Sequence, residues 1–188
     1  MEDYITLEQM LRFREEKAKV QENLRKRHAG GIVAALGMNI PGPQKTSPGI
    51  LLAFEEGMRT LDELFADNSL DVSEEILIKE KAGYLKICAL ECSDAIFVKR
   101  MTVRAEETHP LGRLFDIDVY DAKGVGISRE LLGAPVRKCL LCGQDAKICG
   151  RSRSHEIGEL YQCVENMIQQ WQNGKSKADK EKLWAHSF

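Results

Sequence analysis

Two aspartates stand two residues apart in Glu106-Glu107-Thr108-His109-Pro110-Leu111-Gly112-Arg113-Leu114-Phe115-Asp116-Ile117-Asp118-Val119. Phe115, Ile117 and Val119 alternate with them, which predicts a strand with one apolar face and one face carrying both carboxylates. A pair so placed can hold one or two Mg²⁺ ions, and phosphoryl and nucleotidyl transfer use such a metal to span the attacking and leaving oxygens. Spacing alone also fits an exposed strand face with solvated aspartates.

A second candidate is the loop from Asn39 to Lys45. Gly42 and its flanking prolines, one lysine and a helix start at Ser47-Pro48 make a phosphate cradle in which Asn39, Gly42 and Lys45 are the binding residues. The string is not a P-loop, since no glycine immediately precedes the lysine. The same residues also serve simply to turn a chain.

The third is Arg137-Lys138-Cys139-Leu140-Leu141-Cys142, continuing through Cys149, Arg151 and Arg153 to His155. Cys139, Cys142, Cys149 and His155 offer three thiolates and an imidazole, a tetrahedral Zn²⁺ set, with spacings after Cys142 shorter than those of familiar fingers and ribbons. Free thiols packed in a reducing compartment are the alternative. Arg137, Lys138, Lys147, Arg151 and Arg153 face only Asp145 in this stretch, which makes it a local basic patch. Cys88 and Cys92 read as core residues near a strand end. Arg100 and Arg104 read as strand residues sharing one face, either solvated or able to reach the same anion as Arg113.

Positioning these groups takes both helices and strands. Thr6 and Gln9 form a capping-box pattern opening a helix to about His28, whose basic second half reads as a solvated face. Ile32 to Leu36 reads as a buried strand that feeds the Gly/Pro loop. Leu51, Phe54, Met58, Leu61 and Phe65 then mark the core stripe of a helix from Ser47 to about Asp67. Ile76–Lys79, Tyr84–Leu90, Ala95–Ala105 and Leu114–Tyr120 alternate as antiparallel strands do, and a turn at Asp121–Gly124 leads to a further strand, Val125–Arg129. A helix follows from His155, and a short one at Ala178–Trp184 closes the chain. The expected class is α+β, a mostly antiparallel sheet flanked by helices, in one domain over residues 1–188 with a small Cys/His-rich subregion at 137–155.

The chain has 188 residues, 43% hydrophobic and 30% charged, with 27 Lys+Arg against 29 Asp+Glu. Such a composition excludes disorder over most of the chain and, being balanced in charge, excludes bulk nucleic-acid binding by the whole domain. No stretch approaches the roughly 18 apolar residues that span a bilayer. The acidic start Met1-Glu2-Asp3-Tyr4 is unlike a signal peptide, and six cysteines without one point to reduced thiols or a metal, hence to the cytoplasm.

Three segments taken together, Met38–Pro43 with Lys45, His109–Val119, and Arg137–Cys142 with Cys149, Arg151 and His155, resemble the apo-citrate lyase phosphoribosyl-dephospho-CoA transferase (CitX) family. The resemblance implies transfer of a 2′-(5″-phosphoribosyl)-3′-dephospho-CoA group from its triphosphate (triphosphoribosyl-dephospho-CoA) to a serine of the citrate lyase acyl carrier (gamma) protein, with release of pyrophosphate. For that chemistry Asp116 and Asp118 are expected to hold Mg²⁺, with Glu107 or His109 as an added ligand or proton acceptor. Lys45 and the Gly42 loop would hold the triphosphate and Arg113 the leaving pyrophosphate, with Arg100, Arg104 and Arg129 as reserve anion binders. Arg137, Arg151 and Arg153 would dock the acidic carrier. The rival reading is a non-enzymatic zinc-containing adaptor that binds protein or nucleic acid. It accounts for the cysteines and leaves the aspartate pair unexplained.

Overall fold

The computed structural model describes the backbone of residues 4–185 and the side chains of residues 4–175. Helix α1 (Leu7–Arg27) opens on a reciprocal capping box: the Gln9 N–H donates to the Thr6 hydroxyl and the Thr6 N–H to the Gln9 side chain. Strand β1 (Ile32–Met38) leads through the Gly/Pro loop to α2 (Pro48–Asp67), where Ser47 accepts the Ile50 N–H as N-cap and Pro48 takes the first helical position. Strands β2 (Val72–Glu80) and β3 (Gly83–Leu90) form a hairpin. Helix α3 (Ala95–Thr108), strand β4 (Phe115–Tyr120), the short helix α4 (Ala146–Ser152) and α5 (Ile157–Ala185) complete the order.

The sheet runs β2-β3-β1-β4 and every neighbouring pair is antiparallel, so the α+β class is as expected. Its two faces are covered differently because each strand's alternation sends residues to opposite sides. Ile32, Ala34, Leu36, Phe115, Ile117 and Val119 meet Phe54, Leu61 and Phe65 of α2, Val98 and Met101 of α3, and Val164 and Ile168 of α5. Val33, Ala35, Ile87 and Ala89 meet Phe13 and Leu24 of α1 on the other side. The chain is thus α1 over one face and α2, α3 and α5 over the other.

Three elements differ from the sequence expectation. Ala95–Ala105 is not a strand but most of α3, started by Asp94, whose carboxylate accepts the Phe97 N–H. Val125–Arg129 is not a full strand. Tyr120 and Gly126 make one isolated bridge, and the Ile127 N–H donates to Val119 O at 2.8 Å. Asp121 spends its carboxylate on the Lys123 and Val125 N–H groups, which closes the predicted turn and leaves no ladder beyond it. Ala178–Trp184 is no separate helix, because α5 runs unbroken through it.

Gly42 shows why the loop needs glycine. Its φ is +78°, and a Cβ there would lie 2.5 Å from Ile157 Cγ2 at the start of α5. Gly42→Ala therefore combines left-handed strain with a clash, and urea unfolding is expected to show a loss of about 1–2 kcal/mol.

Candidate active site

Asp116 and Asp118 occupy the α1 side of β4. Their cross-strand partners are Gly37 and Ala35, which carry at most a methyl group and leave the carboxylates uncovered by neighbouring side chains. Lys17 of α1 reaches over the sheet to Asp118, Nζ to Oδ2 at 2.7 Å. Burial works against that ammonium, but the Asp118 carboxylate outweighs it and holds the lysine above its ordinary pKa. Asp116 lies 3.6 Å from Arg137 Nη1. Crowding by the surrounding chain, then the neighbouring Asp118 charge, raises Asp116 above the usual carboxylate value, although 52% of its side-chain surface still meets solvent.

Asp116 lines a cavity of about 240 Å³ together with Arg14, Lys17, Asn39 and Lys45. Lys45 donates to the Ile40 carbonyl, and burial, helped by nearby Arg14, lowers its pKa. The structure thus brings Lys45 and Asp116 to one cavity from segments far apart in sequence, and it adds Arg14 and Lys17. Asn39 is pinned by its own N–H to Leu114 O at 2.8 Å. It also lines two further cavities, one of about 730 Å³ with Arg129, Arg137 and Lys147, the other of about 190 Å³ with Arg113, Lys138 and His155. Gly42 lines none of these, its role being the approach to Ile157, and the α2 N-terminus is occupied by its own Ser47 cap. The charged wall of the Asp116 cavity is therefore made of side chains, Arg14, Lys17 and Lys45, rather than of the Gly42 backbone and a helix end.

As the last strand of the sheet, β4 has an outer edge of amide groups that needs partners. Charged side chains supply them. Buried Glu106 of α3 accepts the Ile117 N–H at 2.8 Å, Lys99 donates to the Ile117 carbonyl, and Arg137 donates to the Phe115 carbonyl. Glu106 is further bound by Arg137 at 2.9 Å and Arg129 at 2.5 Å. Gly112 makes this corner tight, since a Cβ there would sit 2.5 Å from the Glu106 carbonyl oxygen. Arg113, whose pKa is lowered by burial and then by Arg137 and Arg129, belongs to the same group of guanidiniums and donates to the Lys138 carbonyl. Two arginines share one buried carboxylate with a third beside them, and a group of like charges held together in this way is suited to a polyanion.

Several expected site residues are elsewhere. His109 packs on Phe115, on the face of β4 opposite Asp116, with ring centroids 5.1 Å apart. Its Nδ1 accepts the Leu111 N–H and its Nε2 meets Glu56 Oε1 at 3.1 Å, so the imidazole is neutral with its proton on Nε2, and burial keeps its pKa low. Glu56 itself is held at about 2, first by Arg59 and then by Lys175 and His109. His109 is a packing group joining α2 to the β4 corner and cannot share a metal with Asp116. Glu107 is spent on Arg129 at 2.8 Å, which also turns Arg129 into a brace. Arg100 and Arg104 are exposed on α3, four apart on a helix rather than two pleats apart on a strand, and line none of these cavities. Arg137 points inward to Glu106, Phe115 and Asp116, which removes it from an outward docking surface, whereas Arg151 and Arg153 are exposed at the end of α4.

Beyond this corner, the ligand atoms of Cys139, Cys142, Cys149 and His155 converge to within 4.8 Å of one another. Cys88 is buried in the main core, where burial pushes its thiol up to about 12, and Cys92 packs beside that core.

The family model for apo-citrate lyase phosphoribosyl-dephospho-CoA transferase (CitX) matches residues 5–171, which include the aspartate pair, the Glu106 corner and the Cys139–His155 cluster. The chain belongs to this family. A probable apo-citrate lyase phosphoribosyl-dephospho-CoA transferase of Streptococcus pyogenes serotype M18 (strain MGAS8232) is 35% identical over 182 residues, covering 94% of this chain and 93% of the relative. One of the same description from Vibrio cholerae serotype O1 (strain M66-2) is 34% identical over 163 residues, covering 87% and 91%. The protein is accordingly a transferase of the citrate lyase prosthetic-group type, and the adaptor reading, which rested on the cysteine stretch alone, falls away. Among the described residues no helix is long and apolar enough to cross a membrane.

Proposed function

We propose that this transferase moves the 2′-(5″-phosphoribosyl)-3′-dephospho-CoA group from its 5″-triphosphate to a serine of the citrate lyase acyl carrier protein, in the cytoplasm, with release of pyrophosphate. The observation that carries the reading is the pair of same-face carboxylates, Asp116 and Asp118, of which Asp116 opens on a cavity walled by Arg14, Lys17 and Lys45. The relatives' names supply the reaction class, and this arrangement supplies a place for a polyphosphate to react.

The serine oxygen attacks the α-phosphorus, the bond to pyrophosphate breaks, and the serine proton leaves. In a loose transition state, positioning and charge neutralisation carry most of the acceleration. In this reading Lys45, Arg14 and Lys17 hold the triphosphate, and Arg113, Arg129 and Arg137, which line the other two cavities that Asn39 also lines, neutralise the departing pyrophosphate. Asp118 is paired with Lys17, while Asp116, with its raised proton affinity, is the carboxylate suited to take the serine proton. The pair also fits Mg²⁺: two hard oxygen donors on one strand face, whose mutual repulsion a dication relieves. When bound, the metal would neutralise the α-phosphoryl oxygens.

Docking of the carrier falls to the outer segment. Arg151 and Arg153 are exposed there, and Leu141 and Ile148 of the same segment are exposed at 42% and 60%. Apolar contacts bordered by positive charge suit a small acidic partner. The double reversal Arg151→Glu with Arg153→Glu is expected to raise KM for the carrier about tenfold and leave KM for the triphosphate unchanged. A rise in the donor KM instead would assign these arginines to the phosphate site. The reaction itself is tested by pyrophosphate release, which is expected only when apo-carrier and donor are both present. Equal release without the carrier would remove the acyl carrier protein as acceptor.

A further inference from the structure

We propose that Cys139, Cys142, Cys149 and His155 form a structural Zn²⁺ site that clamps the segment 137–155 and so fixes Arg113 at the wall of the smallest of the three cavities that Asn39 lines. The inference goes beyond the transfer reaction and does not depend on it.

The geometry is that of a site made ready. Cys142 Sγ lies 3.5 Å from Cys149 Sγ, and His155 Nε2 lies 3.2 Å from Cys142 Sγ. With Zn–S bonds near 2.3 Å, a tetrahedral centre spaces its sulfurs about 3.8 Å apart, which these atoms reach with shifts of a few tenths of an ångström to about one. The backbone is shaped for the purpose. Lys138 bridges Asp145, the Cys139 N–H donates to Gln144 O at 2.6 Å and the Ala146 N–H to Arg137 O at 2.9 Å, so Cys139 and Cys142 sit on a tight hairpin. Gly143 turns it at φ +69°, and the Leu141 N–H points at Cys139 Sγ at 3.5 Å, as an amide does toward a thiolate. Asp145 then caps α4, accepting the Lys147 N–H at 2.7 Å, and α4 presents Cys149. Arg153, at φ +50°, reverses the chain so that His155 returns to the thiols.

Packing does not explain this convergence. Between Val119 and Val164 the only buried residue is Cys149, and Leu131, Val136, Leu141 and Ile148 are all exposed. A segment this long with no apolar core of its own needs a staple, and small folds use a metal or a disulfide for it. Three sulfurs and one imidazole, with no oxygen donor, select a soft or borderline ion over Mg²⁺. Four protein ligands also leave no open position for catalysis, which makes the site structural. Its reach to Arg113 is short. Arg113 donates to the carbonyl of Lys138, the residue before Cys139, and Arg113, Cys139 and His155 line one cavity.

The test is metal analysis of the full chain, produced in zinc-containing medium and purified without chelator. About one zinc per chain is expected, and a content tenfold lower overturns the proposal. Cys142→Ser should lose the zinc while Cys92→Ser, outside the cluster, keeps it; retention by Cys142→Ser contradicts the ligand set. Because Cys142→Ser can also disturb the segment, the wild-type chain stripped of zinc and refilled with Co²⁺ gives an independent reading. Thiolate-to-cobalt charge transfer with tetrahedral visible bands is expected, and an octahedral spectrum contradicts the site. Hydrogen exchange after stripping should quicken across 137–155 and leave β1 and β3 protected. A Cys142–Cys149 disulfide in the chain as purified would show that a covalent staple, not a metal, holds the segment.

Discussion

Asp116→Asn is expected to lower kcat for carrier modification by about 10²–10⁴-fold while the folded protein becomes no less stable. The two halves of this result have one cause. Asp116 is held above its ordinary pKa by crowding and by Asp118, so the folded state binds its proton more tightly than the unfolded chain does. For such a group the favourable contribution is present at low pH and is lost as pH rises through the raised folded pKa, so the ionised form opposes folding at neutral pH. Asparagine keeps the shape and removes that charge. Loss of activity with a thermal midpoint unchanged or raised is the signature of a group retained for chemistry at the expense of stability. A variant that keeps wild-type turnover contradicts the role, and one that loses activity by unfolding shows that the carboxylate is structural.

Glu106→Ala is expected to act on the fold instead. Glu106 is buried and serves Ile117 N–H, Arg129 and Arg137 at once, so alanine leaves one amide and two guanidiniums without their shared acceptor at the open edge of β4. Removing one partner of a buried ionic group costs about 3–5 kcal/mol. Arg129 keeps Glu107, and Arg137 keeps the Phe115 carbonyl and Asp116, which places the expected loss near the lower end, about 3 kcal/mol in urea unfolding. Glu106→Gln retains an acceptor for the amide and is expected to lose roughly half as much. Equal stability of the alanine variant and the wild type would show that the edge of β4 is held by other contacts.

The part of the fold legible in the sequence is the part where local chemistry and burial agree. The Thr6–Gln9 box, the Ser47-Pro48 start and the Leu51–Phe65 stripe each state their element in consecutive residues. Strand β4 announces itself by alternation because one face is core and the other carries charge. Helix α3 was hidden by its own charged interior. Ala95, Val98, Met101 and Ala105 do recur at helical steps, but Lys99 and Glu106 stand on the same inward face and break its apolar character, and Ile96, Val98, Thr102 and Val103 favour a strand by type. The signal that distinguishes the two is Asp94, an N-cap placed directly before the segment.

The site was legible to a similar degree. Asp116, Asp118 and Lys45 stand in strings whose chemistry shows in their residue types, but Arg14 and Lys17 lie on a helix whose lysines and arginines look like a solvated face. Only the crossing of α1 over the sheet brings Lys17 to Asp118. His109 misleads for the opposite reason: it is close to the aspartates in sequence, yet the turn through Gly112 places it across β4 from them.

The most direct measurement is the mass of apo-citrate lyase acyl carrier protein after incubation with this transferase, the dephospho-CoA triphosphate donor and Mg²⁺. The account predicts one added phosphoribosyl-dephospho-CoA group on a single serine with wild-type protein, and unmodified carrier with Asp116→Asn. A carrier unchanged by folded wild-type protein, or modified equally by the Asp116→Asn variant, would contradict it.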